Sequence, residues 1–294
     1  VLGAAGVGVA LRQARQHLPP QRVPLLGLAA AFVFAAQMIN FPVAGGTSGH
    51  LVGGVLVGAL LGPSVAVIVI ASVLIVQCLM FADGGLTALG ANIFNMGIVG
   101  GVGGWAIFHL VSRAVEGMFG RVLAAAFAGW CSTVLASVAC AGQLAVSRTV
   151  GWSVALPAMA GVHMLVGVGE GIITALVLVA VGRARPELVS PRAVTETSFR
   201  PLVVYGGLIA LGIALFASPF ASQWPDGLDR TAAALGFAEK ATGPVVAAPV
   251  PDYEMPGIHG SALATSIAGA AGTVVVFGLA WALARVLVPR RKPQ

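Results

Sequence analysis

The sequence predicts an all-α fold: a polytopic helical transmembrane bundle that ends in a two-helix transmembrane hairpin with an external loop. Three observations lead to this prediction. Of 294 residues, 58% are apolar and only 9% are charged, whereas about a quarter of a soluble domain is charged. The mean hydropathy is +0.96. The apolar residues form runs of membrane-spanning length, and 40 glycines allow helices to approach each other closely in lipid.

The first apolar run, residues 1–11, is too short to cross a bilayer and leads directly into Arg12 and Arg15. We interpret it as the inner half of a helix whose outer half precedes Val1. A signal-peptide remnant is disfavoured, because the basic residues follow the apolar run. Longer apolar runs are predicted to span the membrane at 23–39, 64–82, 86–111, 122–146, 152–181, 201–218 and 261–284.

The basic residues lie mainly in alternate loops between these spans. The basic loops are 12–22, 113–121, 183–200 and 285–292, whereas the opposite side carries only Arg148, Arg230 and Lys240. The positive-inside rule makes the basic loops cytoplasmic. The Asn40–His50 loop and the segment 219–259 therefore face outward from a cytoplasmic (inner) membrane. This placement accounts for the net charge of +6, so we predict the lipid bilayer as surroundings and no nucleic acid partner.

The length of the connections between spans changes near residues 190–200. Before this point the spans are joined by short turns, and after it two spans are joined by a long polar segment. We therefore predict two modules, a multi-helix capture domain at 1–190 and a two-helix module at 191–294 whose outward loop is 219–259.

The stretch from Asn40 to Gly54 is the most informative polar break between the apolar runs. It holds a Gly-Gly pair, two hydroxyls and His50 between two apolar runs. We predict a helix from Ser48 to Gly62, capped by Thr47 or Ser48. It would cover only about 22 Å, against a hydrocarbon core of about 30 Å. His50 would then lie in the first turn of a sunken helix, where the helix dipole favours the neutral imidazole that a metal ion needs.

Other polar residues in the spans are candidates to support such a metal site. His163 and Glu170 lie seven residues apart on one helix and share a face, and Asn92 and Asn95 lie on a facing span. The functional interpretation is a polar pit around the ion, with Thr47 and Ser48 as further candidates to line it. The alternative is structural: hydrogen bonds between helices for these four residues, and a turn histidine bonded to backbone for His50. His17, His109 and His259 are predicted to be interfacial, and Asp83 to be a turn residue.

The sequence carries no catalytic signature. It has no HExxH, GxSxG or Walker A motif, so we predict that the chain is not an enzyme and that any ATP is hydrolysed by partner subunits. The three cysteines lie within apolar runs without CxxC spacing and are predicted to be packed small hydrophobes.

Several motifs carry a family likeness. Asn40–Gly54, with FPVAGGTSGHLVGG, closely resembles the signature of the CbiM/NikM family, and the likeness continues through Ala82–Gly85, Gly90–Gly97 and the His163–Glu170 helix. This family comprises the substrate-capture subunits of energy-coupling factor (ECF) transporters for cobalt and nickel. The later module resembles the companion subunit CbiN/NikN, and Pro225–Asp229 is similar to a PDGLE-type domain.

The resemblance implies a helical membrane bundle that captures Co²⁺ or Ni²⁺ as transported cargo, with no permanently bound cofactor. It implies that His50 is one metal ligand in a nearly planar nitrogen site. The remaining ligands implied are an amino group, a backbone nitrogen and a second-position histidine at the extreme N-terminus. The sequence departs from this pattern, because it begins at Val1, inside what would be the first helix. The resemblance further implies a coupling transmembrane (T) subunit and a pair of ABC ATPases as partners.

Other function classes remain open on the sequence alone. One is a stand-alone secondary cation transporter that uses Glu170 as an ion or proton relay. Another is a membrane scaffold in which His50 only makes hydrogen bonds. A vitamin-capture subunit fits less well, because aromatic residues are sparse. Nitrogen ligands accept both cobalt and nickel, so the sequence does not separate the two ions.

Overall fold

The structure is a computed structural model that describes residues 1–189, 198–243 and 245–288. The predicted module boundary at 190, together with Arg192 and the C-terminal Arg290 and Lys292, lies outside the described residues. Within them the chain is an α-helical bundle, as predicted from the sequence, with one small β-hairpin that was not predicted.

The first half of the chain contains the helices and the hairpin that surround His50. In order they are α1 (Leu2–His17), α2 (Val23–Gln37), β1 (Phe41–Val43), β2 (Thr47–Gly49), α3 (Gly54–Leu61), α4 (Pro63–Phe81), α5 (Leu89–Asn92), a π-helical stretch (Ile93–Gly103) and α6 (Gly104–Ala114).

The second half consists of long helices and one partly helical connection. In order they are α7 (Gly117–Val146), α8 (Trp152–Ala184), α9 (Pro186–Val189), α10 (Arg200–Gly212) with a π turn and a 3₁₀ turn to Phe220, α11 (Gly227–Ala234) and α12 (Ser261–Leu287).

Six helical segments of the described residues are long and apolar enough to cross a membrane. They are Pro63–Phe81, Leu89–Ala114, Gly117–Val146, Trp152–Ala184, Arg200–Phe220 and Ser261–Leu287. The predicted span 23–39 is a 15-residue helix, Val23–Gln37, of about 22 Å, which ends where the β-hairpin begins. The protein is therefore a multi-pass membrane protein.

α2 and α4 lie at the centre of the bundle. The largest buried apolar cluster joins α1, α2, α4 and α12, so α12 shares its core with helices from the first half of the chain. Small residues make this contact possible: a Cβ at Gly272 of α12 would lie 2.3 Å from the ring of Phe34. A second cluster joins α3 and α6 to the long antiparallel pair α7 and α8.

The segment predicted as one continuous span at 86–111 has an irregular centre. Its π-helical stretch, Ile93–Gly103, contains four of the chain's glycines and packs against the start of α3, where a Cβ at Gly54 would lie 2.9 Å from the Cα of Gly101. A π-helix widens the turn and is uncommon at this length. No feature of the apolar pattern distinguishes it from an α-helix.

Candidate metal centre

The stretch that carries His50 is a β-hairpin, and the predicted helix from Ser48 is wrong. Phe41–Val43 pairs with Thr47–Gly49 in antiparallel register, with Pro42 opposite Ser48. Gly45 and Gly46 form the turn with φ of 83° and 72°, a left-handed conformation that glycine adopts without steric cost. The helical pattern starts only at Gly54.

Because of the hairpin, Thr47 and Ser48 do not cap a helix as predicted. Thr47 and Ser48 are buried strand residues, and Gly53, with φ of 77°, precedes the first turn of α3. His50 lies in the short connection before α3 and outside any helical turn, so the helix-dipole argument does not apply to it. The helix α3 has only eight residues, about 12 Å, which makes it even shorter than the predicted helix.

His50 has the hydrogen-bond arrangement of a neutral histidine ligand. Its Nδ1 lies 3.1 Å from the carbonyl oxygen of Leu51, and a carbonyl only accepts, so Nδ1 carries the proton. In the neutral imidazole the lone pair is then on Nε2. A backbone carbonyl that fixes the tautomer in this way is the usual support of a metal-ligating imidazole.

Glu170 holds the backbone that follows His50. Its carboxylate is completely buried and accepts hydrogen bonds from the N–H of Val52 at 2.6 Å and of Gly53 at 3.1 Å. The left-handed Gly53 places two successive N–H groups beside one acid, an arrangement that suits an anion. Glu170 does not line the cavity described below; it fixes the connection between His50 and α3.

Two glutamines hold the same connection from the other side. Gln37 of α2 donates to the carbonyl of Val52 at 3.0 Å, and Gln77 of α4 donates to the side-chain oxygen of Gln37 at 2.9 Å. Both glutamines are buried. Sequence reasoning missed them, because isolated amides inside apolar runs gave no pattern. The peptide of Val52 is therefore hydrogen-bonded at both its N–H and its C=O.

A cavity of about 150 Å³ lies beside His50. Its wall combines the hairpin, the irregular helix around residue 95, α7, α8 and the start of α11. The lining residues are Ser48, Gly49, His50, Val52, Asn92, Asn95, Met96, Thr133, Ala136, Ser137, Cys140, Met159, His163, Val166, Asp226, Gly227 and Leu228.

The structure places His163, Asn92 and Asn95 at this wall with different partners. His163 donates from Nδ1 to the carbonyl of Met159 at 2.8 Å, so its Nε2 also carries a lone pair. Asn95 exchanges two hydrogen bonds with Gln143 of α7, at 3.0 and 2.8 Å, and its amide is used to join helices. Asn92 packs against the turn at Gly84.

The beginning of the connecting segment, residues 219–259, contributes to the cavity wall. The N–H of Ser48 donates to the carbonyl of Pro225 at 2.9 Å, and its hydroxyl donates to the carbonyl of Trp224 at 2.6 Å. Asp226 and Gly227 follow directly and form part of the wall. This contact was not predicted, since no local pattern in a Pro-rich loop indicates which surface the loop covers.

The described side chains do not by themselves enclose an ion. Within residues 1–189, 198–243 and 245–288, no group of three His, Cys, Asp or Glu side chains is close enough to hold a metal. His17, His109 and His259 are not among the lining residues. The beginning of α1 packs on Gly90, where a Cβ at Gly3 would lie 2.3 Å from the carbonyl oxygen. Gly90 is two residues from cavity-lining Asn92.

Comparison with known families gives two matches that together cover most of the chain. The model described as "Cobalt uptake substrate-specific transmembrane region" matches residues 1–188, and the model of the "PDGLE domain" matches residues 200–289.

Similar proteins of known name are transport proteins. The chain is 41% identical to a putative fused nickel transport protein NikMN of Archaeoglobus fulgidus, over 89% of this chain and 85% of that protein. It is 40% identical to the cobalt transport protein CbiM 1 of Pelobacter propionicus, over 58% of this chain and 76% of that protein. A crystal structure described as a truncated transition metal transporter matches with a TM-score of 0.55 and 32% identity, over 62% of this chain and 92% of that chain.

Proposed function

The chain belongs to the CbiM/NikM family, with a NikN-like PDGLE module fused behind the capture region, and on this premise we propose that it captures Co²⁺ or Ni²⁺ for import. The observation that supports this proposal best is the geometry of His50. His50 lies on the wall of a cavity with Nδ1 bonded to the Leu51 carbonyl, which leaves Nε2 to bind an ion, and a buried acid fixes the backbone at Val52 and Gly53.

His50 is proposed as the metal ligand, and the residues around it as its support. Glu170 and Gln37 hold the Val52 peptide and thereby fix where the imidazole stands. A ligand held this way need not reorganise when the ion arrives, which favours binding. The metal is cargo and is released, so the proposal includes no permanently bound cofactor.

Nitrogen donors from the N-terminal side are proposed to complete the coordination. The family resemblance implies such ligands, and the beginning of α1 packs two residues from the cavity wall, at Gly90. A set dominated by nitrogen suits Ni²⁺ and Co²⁺ better than Mg²⁺ or Ca²⁺, which prefer oxygen ligands.

Energy for import is proposed to come from partner subunits: a coupling T subunit and a pair of ABC ATPases, as in ECF transporters. The sequence has no Walker A motif of its own. The basic loops are proposed to face the cytoplasm at the inner membrane, with the His50 hairpin and the connecting segment on the outer side.

The rival use of Glu170 as an ion or proton relay fits the contacts less well. Both carboxylate oxygens accept backbone hydrogen bonds, and Glu170 is not part of the cavity wall. A relay group needs access to the transported ion. A scaffold role for His50 would need no cavity beside the imidazole.

The test of the site is His50→Ala in the full gene product, with Ni²⁺ and Co²⁺ binding measured by calorimetry in detergent. We expect binding to be abolished, and we expect His259→Ala, which changes an exposed histidine away from the cavity, to bind like the wild type. Unchanged affinity in His50→Ala would rule out the assigned site.

The test of energy coupling is uptake of radioactive nickel in cells that express the chain with and without its ATPase partners. We expect uptake to require them and to persist when the proton gradient is collapsed but ATP is maintained. Uptake that needs the gradient and no ATPase would support the secondary transporter instead.

A further inference from the structure

His163 resembles His50 in its chemistry but has no assigned role. Like His50, it is partly buried and donates from Nδ1 to a backbone carbonyl, that of Met159. In the neutral imidazole the lone pair is then on Nε2, and His163 is one of the residues that line the same cavity. A histidine that served only to join helices would also be expected to use its second nitrogen, and the described residues offer it no hydrogen-bond partner.

Asp226 is the one acid among the described residues that lines this cavity. Its Oδ1 accepts from the N–H of Asp229 at 2.8 Å and caps α11. Its Oδ2 accepts no hydrogen bond from the described residues. The hydrogen bond to Oδ1 orients the carboxylate, and Oδ2 stays available to bind a cation.

The backbone beside Asp226 is seated directly on the His163 ring. A Cβ at Gly227 would lie 2.5 Å from Cε1 and 2.9 Å from Nε2 of His163, so only glycine allows this approach. The two hydrogen bonds from Ser48 to Trp224 and Pro225 hold the chain just before Asp226. The acid and the imidazole therefore belong to one fixed contact between the connecting segment and α8.

Asp226 lies close to a second acid of the same helix, Asp229. Burial raises the pKa of the nearby Asp229 carboxyl, and the carboxylates of Asp226 and Asp83 raise it further. Asp229 therefore senses the negative charge of both Asp226 and Asp83. A potential of this sign attracts cations and raises their rate of arrival.

These groups and His50 do not converge on one point, since no three of the described His, Cys, Asp and Glu side chains could hold an ion together. We propose that Asp226 and His163 form a loading site for a hydrated divalent transition metal ion, which is passed on to His50. The carboxylate attracts the ion with its waters, the Nε2 of His163 replaces one water, and the ion then exchanges His163 for His50. This inference rests on the proposed function and adds a second, transient site to it.

A loading site changes rates more than affinity, which makes it testable. We propose stopped-flow measurement of Ni²⁺ association and dissociation with the full gene product in detergent, for Asp226→Asn and His163→Gln. Asparagine preserves the helix cap, so Asp226→Asn removes charge alone. We expect both rates to fall about tenfold in each variant, within the range of electrostatic effects on association, while the equilibrium dissociation constant stays within about twofold.

Controls separate this proposal from a structural role. Glu254→Gln removes an exposed acid of the same segment that does not line the cavity and should leave both rates unchanged. Asp226→Ala should be as slow as Asp226→Asn. Wild-type rates in Asp226→Asn with slow rates in Asp226→Ala would mean that the cap alone matters, and would overturn the proposal.

The equilibrium affinities for nickel distinguish a transient loading site from a permanent ligand and from a failure of the proposed function. A tenfold weaker equilibrium affinity in His163→Gln would make His163 a permanent ligand and would also overturn the loading site. If the wild-type protein binds no nickel, the proposed function itself fails, which is a different result from normal binding with unchanged rates in the variants.

Discussion

The two sides of the cavity are held by different kinds of contact. On one side, the connection after His50 is fixed by buried groups on three helices: Glu170, Gln37 and Gln77. On the other side, the connecting segment is held by fewer buried polar groups: a part-buried hydrogen bond from Ser48 to Trp224, an exposed one from Tyr253 to Asp83, and the packing of Val250 in the main apolar cluster. Unsatisfied polar groups are far more costly in a membrane interior than at a wet surface.

This difference indicates which side can move. Removing a buried acceptor strands backbone N–H groups that water cannot reach, so the His50 side should resist change. Surface hydrogen bonds exchange with water at a net cost of only about 1 kcal/mol each. We therefore infer that the connecting segment yields to substitution more readily than the His50 connection. The following predictions challenge that contrast, beginning with the largest effect.

Glu170→Ala should be the most damaging change. It leaves the N–H groups of Val52 and Gly53 without acceptors in a fully buried site, at about 1–3 kcal/mol each. We expect a clearly lower melting temperature in detergent and loss of nickel binding. Thr174→Val, one turn along the same helix, is the matched control, since the Thr174 hydroxyl is buried without a partner and its removal should not destabilise. Equal losses in both variants would contradict the role given to Glu170.

Gln37→Leu should have the next largest effect, because it unpairs the carbonyl of Val52 and the amide of Gln77. We expect a destabilisation of about 1–3 kcal/mol and weaker nickel binding, measured by thermal unfolding and calorimetry. The double variant Gln37→Leu with Gln77→Leu should lose less than the sum of the single variants, since the two amides bond to each other. Strictly additive losses of stability would show that the two amides do not act as one hydrogen-bonded chain.

The contrast between the two sides also separates what the sequence predicted from what it did not. The helical bundle followed from run length and composition, since apolar runs of 17 or more residues have few alternatives in lipid. The polar residues His50, His163 and Glu170 stood out because polar groups at membrane depth are expensive. The local structure predicted around His50 was wrong. A Thr-Ser pair before an apolar run is compatible with a helix cap, and equally with a strand that follows a Gly-Gly turn.

Contacts distant in sequence could not be predicted from a single chain. Ser48 meets Trp224 and Pro225 across about 176 residues, and Gln37 meets Gln77 across 40. Neither contact leaves a periodic signal, and both decide the shape of the cavity. The family likeness of Pro225–Asp229 identified a module, but the position of Asp226 over the cavity is visible only in three dimensions.

Gly227→Ala should disturb the connecting segment without unfolding the bundle. The added methyl would lie 2.5 Å from the His163 ring, so the segment must lift. We expect a melting temperature close to wild type but faster exchange of bound nickel, measured by chelator-induced release. Gly243→Ala is the control, because no atom lies within 4 Å of a Cβ at that position. A large fall in melting temperature would mean that the connecting segment is as integral to the fold as α8.

Tyr253→Phe should have the smallest effect, and it measures how weakly the connecting segment is fastened. Phenylalanine keeps the stacking on Phe81, at 4.4 Å between ring centres. It loses the 2.6 Å hydrogen bond from the phenol to Asp83 and the contact of the phenol with Gln77, so we expect about 1 kcal/mol. Burial and the Asp83 carboxylate raise the pKa of the Tyr253 phenol well above 10. A raised pKa in the folded state means that this bond is fully present at lower pH and is lost only as the pH rises through that value. The difference in stability between wild type and Tyr253→Phe should therefore be constant from about pH 6 to 9. A difference that vanished within this range would show that the phenol does not fasten the segment as the structure describes.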